Sequence, residues 1–328
     1  MIITQTPLRL SFAGGGTDFP GFYGRFGDGA VLSTAIDKYI YVVVKKRFDS
    51  KIRLGYSVTE MVDDVDELRH ELVREAMKLL KVSPGIEIST MADIPSTGSG
   101  LGSSSSVTVG VLNALHAYLG ETVPAERLAE EACEIEIGRL GKPIGKQDQY
   151  IAAYGGFRLF GFHSDGTVSQ RVVKVGASRV RRIEEQLLLV YVGFGRDSTP
   201  ILSEQRRSIE ERAETLKKIA QMPQQLFQSV ESSEGKLGKL GEVLREGWKL
   251  KKSLSSGITN EALNDIYERA TQHGATGGKV VGAGGGGFML LFCPDGTREA
   301  VRLALSEYSE LPFAFEKDGS KAIFNIRR

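Results

Sequence analysis

Cysteine is nearly absent from this 328-residue chain: only Cys133 and Cys293 occur, far apart and with no CxxC spacing. Two such thiols build no disulfide framework, and the expectation is a reducing cytoplasm with both groups buried or inert. Histidine is also scarce, at four residues with no HxxxH, which argues against a zinc site made by the protein. Charge of one sign is missing too. The net charge is +1, so no strong field directs the chain to nucleic acid or to a membrane surface. The basic cluster "SRVRRIEEQ" carries its own acids and reads as a solvated face. No apolar run approaches the ~20 residues that span a bilayer. The start "MIITQTPLRLSF" lacks the basic and apolar regions of a signal peptide. Two common phosphate-binding patterns are absent as well. There is no GxxxxGK[ST], and no GxGxxG inside an N-terminal βαβ unit.

What remains is an ordinary globular composition, 41% hydrophobic and 25% charged, with 39 glycines. The length suits two packed domains. Strand patterns occur at Met1–Thr6, from Tyr39, from Lys51, from Gly85, in "FRLFGF", "SQRVVKV" and "LLLVYVGF". Helical spacing runs through "VDELRHELVREAMKLLKV", where Leu68, Leu72, Ala76, Leu79 and Leu80 recur, and along Val107, Val111, Leu115 and Leu119. Pro124 suits the first turn of a helix reaching about Leu140. After Thr199 the chain reads as long-helical through Ser256, then helical from Asn260 to His273. A strand, a glycine run, a strand, a short helix and a last strand "KAIFNIRR" follow. This predicts an α+β protein of two domains, 1–180 and 181–328, dividing between Val175 and Leu187.

Three glycine-rich segments stand out. "PLRLSFAGGGTDFPGFYG" turns sharply after a strand and offers Asp18 to hydroxyl groups, or equally uses it as a turn residue. "DIPSTGSGLGSSSSVTVGVLNAL" runs from glycines 98, 100 and 102 straight into a helix. A helix N-terminus has four unpaired donors and partial positive charge, so bare amides and hydroxyls there suit a phosphate and a cation. One serine caps a helix, and four in a row exceed that need. "VVGAGGGGFMLLF", by itself, describes only a close-packed backbone corner.

In this order the three segments resemble the GHMP kinase superfamily, most closely its sugar-1-kinase branch, on Pro7 to Phe292. The family's P-x-x-x-G-L-G-S-S-[AS] matches Pro95–Ser105 with one extra residue before the core. "GKQDQYIAAYGGF" adds to the match. The resemblance implies a ribosomal-protein-S5-like N-terminal domain, a ferredoxin-like C-terminal domain, and an active site in the cleft between them. It implies ATP phosphates held by Thr97, Gly98, Ser99, Gly100, Leu101, Gly102, Ser103, Ser104 and Ser105. Mg²⁺ would lie on Ser104 and Glu136; Glu136 also shares a helical face with the small residues Ala129, Ala132 and Cys133. Asp148 is implied as the base and Arg9 as its cationic partner. Asp18, Gly15, Gly16, Arg196 and Gly285 would meet the sugar. Galactokinases carry Glu and His side chains where this chain has Gly15 and Gly16, so the pocket mouth is expected wider, with room for a phosphorylated tail. Arg196, Arg25 and Lys146 are the cations considered for that phosphate. The expected reaction is phosphorylation of the anomeric hydroxyl of a heptose 7-phosphate. Alternatives are another sugar 1-kinase, for L-fucose or a hexose, and a non-catalytic sugar sensor. The expected partner is a small sugar phosphate, with no nucleic acid, no membrane and a homodimer left open. For adenine, only the strands of Tyr39–Arg53 were in view.

Overall fold

A computed structural model describes residues 1–94, 98–193, 199–232 and 235–326. The order is β1 (Ile2–Ala13), α1 (Pro20–Tyr23), β2 (Gly29–Lys46), β3 (Ile52–Gly55), β4 (Thr59–Val62), α2 (Glu71–Leu79) and β5 (Ile86–Ala92). Next come α3 (Ser103–Leu119), α4 (Ala125–Cys133), α5 (Gln147–Tyr154), β6 (Phe157–Phe162), β7 (Val168–Val172), α6 (Ala177–Glu185) and β8 (Leu187–Gly193). The remainder is α7 (Thr199–Arg207), α8 (Ala213–Glu231), α9 (Gly238–Lys252), α10 (Glu261–Gln272), β9 (Gly277–Val280), β10 (Gly287–Phe292), α11 (Arg298–Ala304), β11 (Ser309–Glu310), β12 (Phe315–Glu316) and β13 (Lys321–Asn325).

The first sheet runs β13-β1-β2-β5-β3-β4, with β6 and β12 also on β2 and β7 on β6. The long β2 serves two partners in turn, β6 along Gly29–Thr34 and β5 along Ile40–Lys46. Pro7 sits where β1 slips register against β2, as expected of a residue with no N–H for the ladder. From Thr6 to Ala13 every residue of β1 is buried, so this strand lies between layers. One covering layer is α3, fastened by Ser106 Oγ donating to Pro7 O at 2.8 Å and Thr4 Oγ1 to Gly110 O at 2.9 Å. A second sheet, β11-β8-β10-β9, holds the C-terminal half. Strands β12 and β13 return to β2 and β1, so residues beyond 314 cross the expected 180/181 division.

Three helix expectations need correction. The run from Val65 is not continuous: a 3₁₀ turn at Val65–Glu67 precedes α2. The Glu60 carboxylate of β4 accepts from Arg69 N at 2.6 Å and His70 N at 3.1 Å, and this tertiary cap sets the start of α2. The helical region after Thr199 is broken into α7, α8 and α9. The helix from Pro124 leaves α geometry at Cys133 and continues as a π turn, Glu134–Arg139. None of the described helices is long and apolar enough to cross a membrane.

Candidate active site

A cleft of about 1010 Å³ opens between the two sheets' loops. Its walls include Arg9, Gly15, Gly16, Asp18, Gly98–Gly100, Gly102–Ser105 and Asp148 from the first half of the chain, and Gln205, Lys251, Lys279 and Val281–Gly284 from the second. Thr97 and Arg196 lie outside the described residues. Among the other expected residues, Leu101, Glu136 and Gly285 do not line this cleft. Leu101 and Glu136 are fully buried behind it, and Gly285 is held by its N–H to Ile258 O at 2.8 Å.

The glycine loop needs bare backbone for a steric reason. Gly100 and Gly102 have φ of +74° and +80°, in the left-handed region. A Cβ at Gly100 would lie 2.6 Å from Val281 O, and one at Gly102 would lie 3.1 Å from Arg9 Cγ. The loop is therefore pressed between the Arg9 side chain and the third glycine segment. Gly102 is also the N-cap of α3 and brings no side-chain acceptor, so the first amides of the helix are left for a ligand.

Arg9 and Asp148 form a two-pronged pair. Arg9 Nε donates to Asp148 Oδ1 at 2.7 Å, and Nη2 to Oδ2 at 2.6 Å. Arg9 Nη1 also donates to Gly100 O at 2.5 Å, which ties the loop to the pair. Arg9 is buried while the Asp148 side chain keeps 24% of its exposure, so the carboxylate still faces the cleft. Asp18 is almost wholly buried and accepts from Gly16 N at 3.0 Å and Gln147 N at 3.1 Å. Burial pushes its pKa up, and the neighbouring Asp148 adds to that rise.

Behind the loop, Glu136 is fully buried. It accepts from Ser104 Oγ at 2.7 Å, Ser105 Oγ at 2.8 Å and Gln149 Nε2 at 2.6 Å. Burial raises its pKa against these bonds. Ser104 is exposed at the cleft and spends its O–H as a donor to Glu136, so its oxygen lone pairs stay available to a ligand. An all-oxygen pair of one hydroxyl and one carboxylate has the chemistry a hard cation such as Mg²⁺ takes.

Several cleft residues escaped the sequence reading. Lys251, Lys279, Ser11 and Gln205 line it and are buried, and the half-buried Gln147 lines it too. Ser11 Oγ, Gln147 Oε1 and Gln205 Nε2 have no hydrogen-bond partner. Gln147 and Gln205 approach the places where side chains would stand at Gly15 and Gly16, at 3.6 and 4.0 Å. Arg206 and Arg207, at the end of α7, are exposed at the cleft wall. The cations first considered sit elsewhere: Arg25 pairs with Glu210 at 3.4 Å, and Lys146 Nζ donates to Gly166 O at 3.0 Å. No residue of Tyr39–Arg53 lines the cleft. Glu71 and Leu140–Ile144 do, near Ser104. A buried lysine that breaks a strand's apolar pattern, Lys279 in "GGKVV", was the one available signal.

Comparison with known proteins agrees with this geometry. Residues 70–156 match the GHMP kinases N terminal domain and residues 226–311 the GHMP kinases C terminal model. The chain is 31% identical to the D-glycero-alpha-D-manno-heptose 7-phosphate kinase of Campylobacter jejuni, over 98% of each sequence. It is 28% identical to the mevalonate kinase of Pyrococcus furiosus, over 92% of this chain and 93% of that one. A crystal structure of a D-glycero-D-manno-heptose 1-phosphate kinase from Bacteriodes thetaiotaomicron superposes with a TM-score of 0.81 at 26% identity, covering 100% of both chains.

Proposed function

This chain belongs to the GHMP kinase family, and from that premise we propose that it phosphorylates the C1 hydroxyl of D-glycero-D-manno-heptose 7-phosphate with ATP. The product is the 1,7-bisphosphate, a precursor for nucleotide-activated heptose and surface polysaccharide. The single observation behind the reaction type is the Arg9–Asp148 pair beside an open helix N-terminus in one cleft. The sugar assignment rests on the heptose kinases it resembles along its full length.

Phosphoryl transfer passes through a loose transition state, so the protein acts by positioning and by neutralising charge. The amides at Gly98–Ser105 hold the triphosphate. Asp148 takes the C1 hydroxyl proton as the sugar oxygen bonds the γ-phosphorus and the bond to ADP breaks, the electron pair leaving with ADP. Arg9 keeps Asp148 oriented. Ser104 and Glu136 would hold Mg²⁺, which offsets charge on the β- and γ-phosphates when bound. Asp18, Ser11, Gln147 and Gln205 meet sugar hydroxyls, the unpartnered atoms of the last three supplying both donors and acceptors. Gly15 and Gly16 leave room for the tail. Arg206 and Arg207 receive its phosphate. A cytoplasmic setting, where ATP is present, suits this reading; a homodimer is left to sedimentation.

A second reading has its own support, because the structural relative is named for a 1-phosphate. Incubation with ATP and Mg²⁺ against heptose 7-phosphate, heptose 1-phosphate, L-fucose and galactose separates them, with ³¹P NMR locating the new phosphate. Turnover of the 7-phosphate at C1 is expected. Product from the 1-phosphate alone would select the second reading, and no ADP from any sugar would end both.

A further inference from the structure

Two lysines of the cleft are in an unusual position. Lys251 lies in the last turn of α9 and Lys279 in β9, exposed by only 8% and 7%. Buried ammonium groups are ordinarily paired with an acid. Neither of these has a carboxylate partner among the described residues: Lys251 Nζ donates to Gly282 O, and Lys279 Nζ donates to Ser11 O at 2.9 Å. An ammonium has three donors, so each retains two without an acceptor.

Their acceptors fix where they point. Gly282 lies against the glycine loop, since a Cβ on it would be 2.7 Å from Gly100 Cα. Gly100 O is itself held by Arg9 at 2.5 Å. Ser11 follows Arg9 by two positions on β1, on the same face of the strand. Both ammonium groups thus border the place where the phosphate loop meets Asp148. Arg9, Lys251 and Lys279 face Asp18 and Asp148 there. Arg206 and Arg207 stand apart as exposed cations.

We propose that Lys251 and Lys279 are catalytic residues that bind the oxygens of the phosphoryl group being transferred. This rests on the ATP-dependent reading above. As the bond to ADP breaks and the bond to the sugar oxygen forms, negative charge spreads over the equatorial oxygens. Four N–H donors, already stripped of water, meet it without reorganisation. The site's desolvation also depresses both pKa values: that of Lys251 to about 8, with Arg9 adding to the effect and Asp18 and Asp148 opposing it, and that of Lys279 with Lys251 and Arg9 adding and Asp148 opposing.

The test compares binding of ADP with that of a non-hydrolysable ATP analogue bearing the third phosphate, by calorimetry with Mg²⁺. Wild type is expected to prefer the analogue. Lys251→Met and Lys279→Met should each cut that preference about tenfold, leave ADP affinity within about twofold, and lower kcat. Arginine at either position should restore part of the preference. The wild-type preference should also fall above pH 8 as Lys251 loses its proton, and Lys251→Arg should remove that fall. An unchanged preference with a raised KM for the sugar phosphate would assign the lysines to the resident phosphate and overturn the proposal. An unchanged preference with unchanged KM would overturn it in favour of a structural role. Should a methionine variant not fold, the pH dependence decides, and a flat wild-type profile from pH 7 to about 9.5 defeats the proposal for Lys251. Failure of the sugar assignment would appear instead as missing turnover across the sugar panel, with nucleotide binding intact.

Discussion

The two walls of the cleft are built on opposite principles. In the wall from the first half the charged groups are paired: Arg9 grips Asp148, Ser104 and Ser105 grip Glu136, and backbone amides grip Asp18. In the wall from the second half, Lys251 and Lys279 each spend one donor on a backbone carbonyl and keep two, and Gln205 Nε2 meets no protein acceptor. The first wall is preorganised chemistry, rigid before a substrate arrives. The second is completed only by ligand oxygens. Charge already paired costs little to keep folded, whereas the open donors make the second wall the one that senses occupancy.

The sharpest way to break this contrast is Asp148→Asn. It leaves the shape of the first wall and removes the proton acceptor. A loss of about 10²–10⁴-fold in kcat is expected, with little change in ATP affinity; stopped-time ADP assays against calorimetry would show it. A loss in affinity equal to the loss in kcat would mean that Asp148 only holds the loop. Next is Gly100→Ala, which attacks the seam between the walls. A Cβ there meets Val281 O at 2.6 Å in a left-handed backbone. A destabilisation of about 1–3 kcal/mol is expected, read from urea unfolding, together with weaker nucleotide binding.

Glu136→Gln tests how the first wall uses a buried charge. The folded pKa of Glu136 is raised above its unfolded value by burial. Its ionised form therefore costs stability above that folded pKa, and the cost disappears as pH falls below the unfolded pKa. The amide should hold or raise the melting temperature at neutral pH, while the Mg²⁺ concentration for half-maximal activity rises about tenfold. A clear loss of melting temperature would show the carboxylate to be a structural keystone instead. The smallest effect concerns His116 of α3, far from the open wall. Burial alone would lower its pKa, yet bonds to Glu131 and Glu121, both at 2.7 Å, raise it. Its contribution is fully present below the unfolded pKa and is lost as pH rises through the folded one. The melting-temperature gap between wild type and His116→Gln should shrink as pH climbs from 6 to about 9; a constant gap would remove the charge from the account.

Legibility divides along the same seam. Arg9, Gly100, Gly102, Ser104, Glu136 and Asp148 were readable because each sits in a short segment whose residue types already state the chemistry. Glu136 was also readable from its small-residue helical face, although the π turn that carries it was not. Lys251 was hidden among Lys249 and Lys252 at the basic end of α9, and Gln205 among the polar residues of α7. Nothing local distinguishes a lysine that reaches solvent from one folded against Gly282.

By itself, the sequence determined the positions where backbone had to be bare and the groups available to handle a phosphate, because sterics and helix-end electrostatics act within a few residues. Only the tertiary structure decided which cations face those groups. That choice depends on α9 and β9 packing against β1 across more than 200 residues of chain, and on burial that no local pattern records.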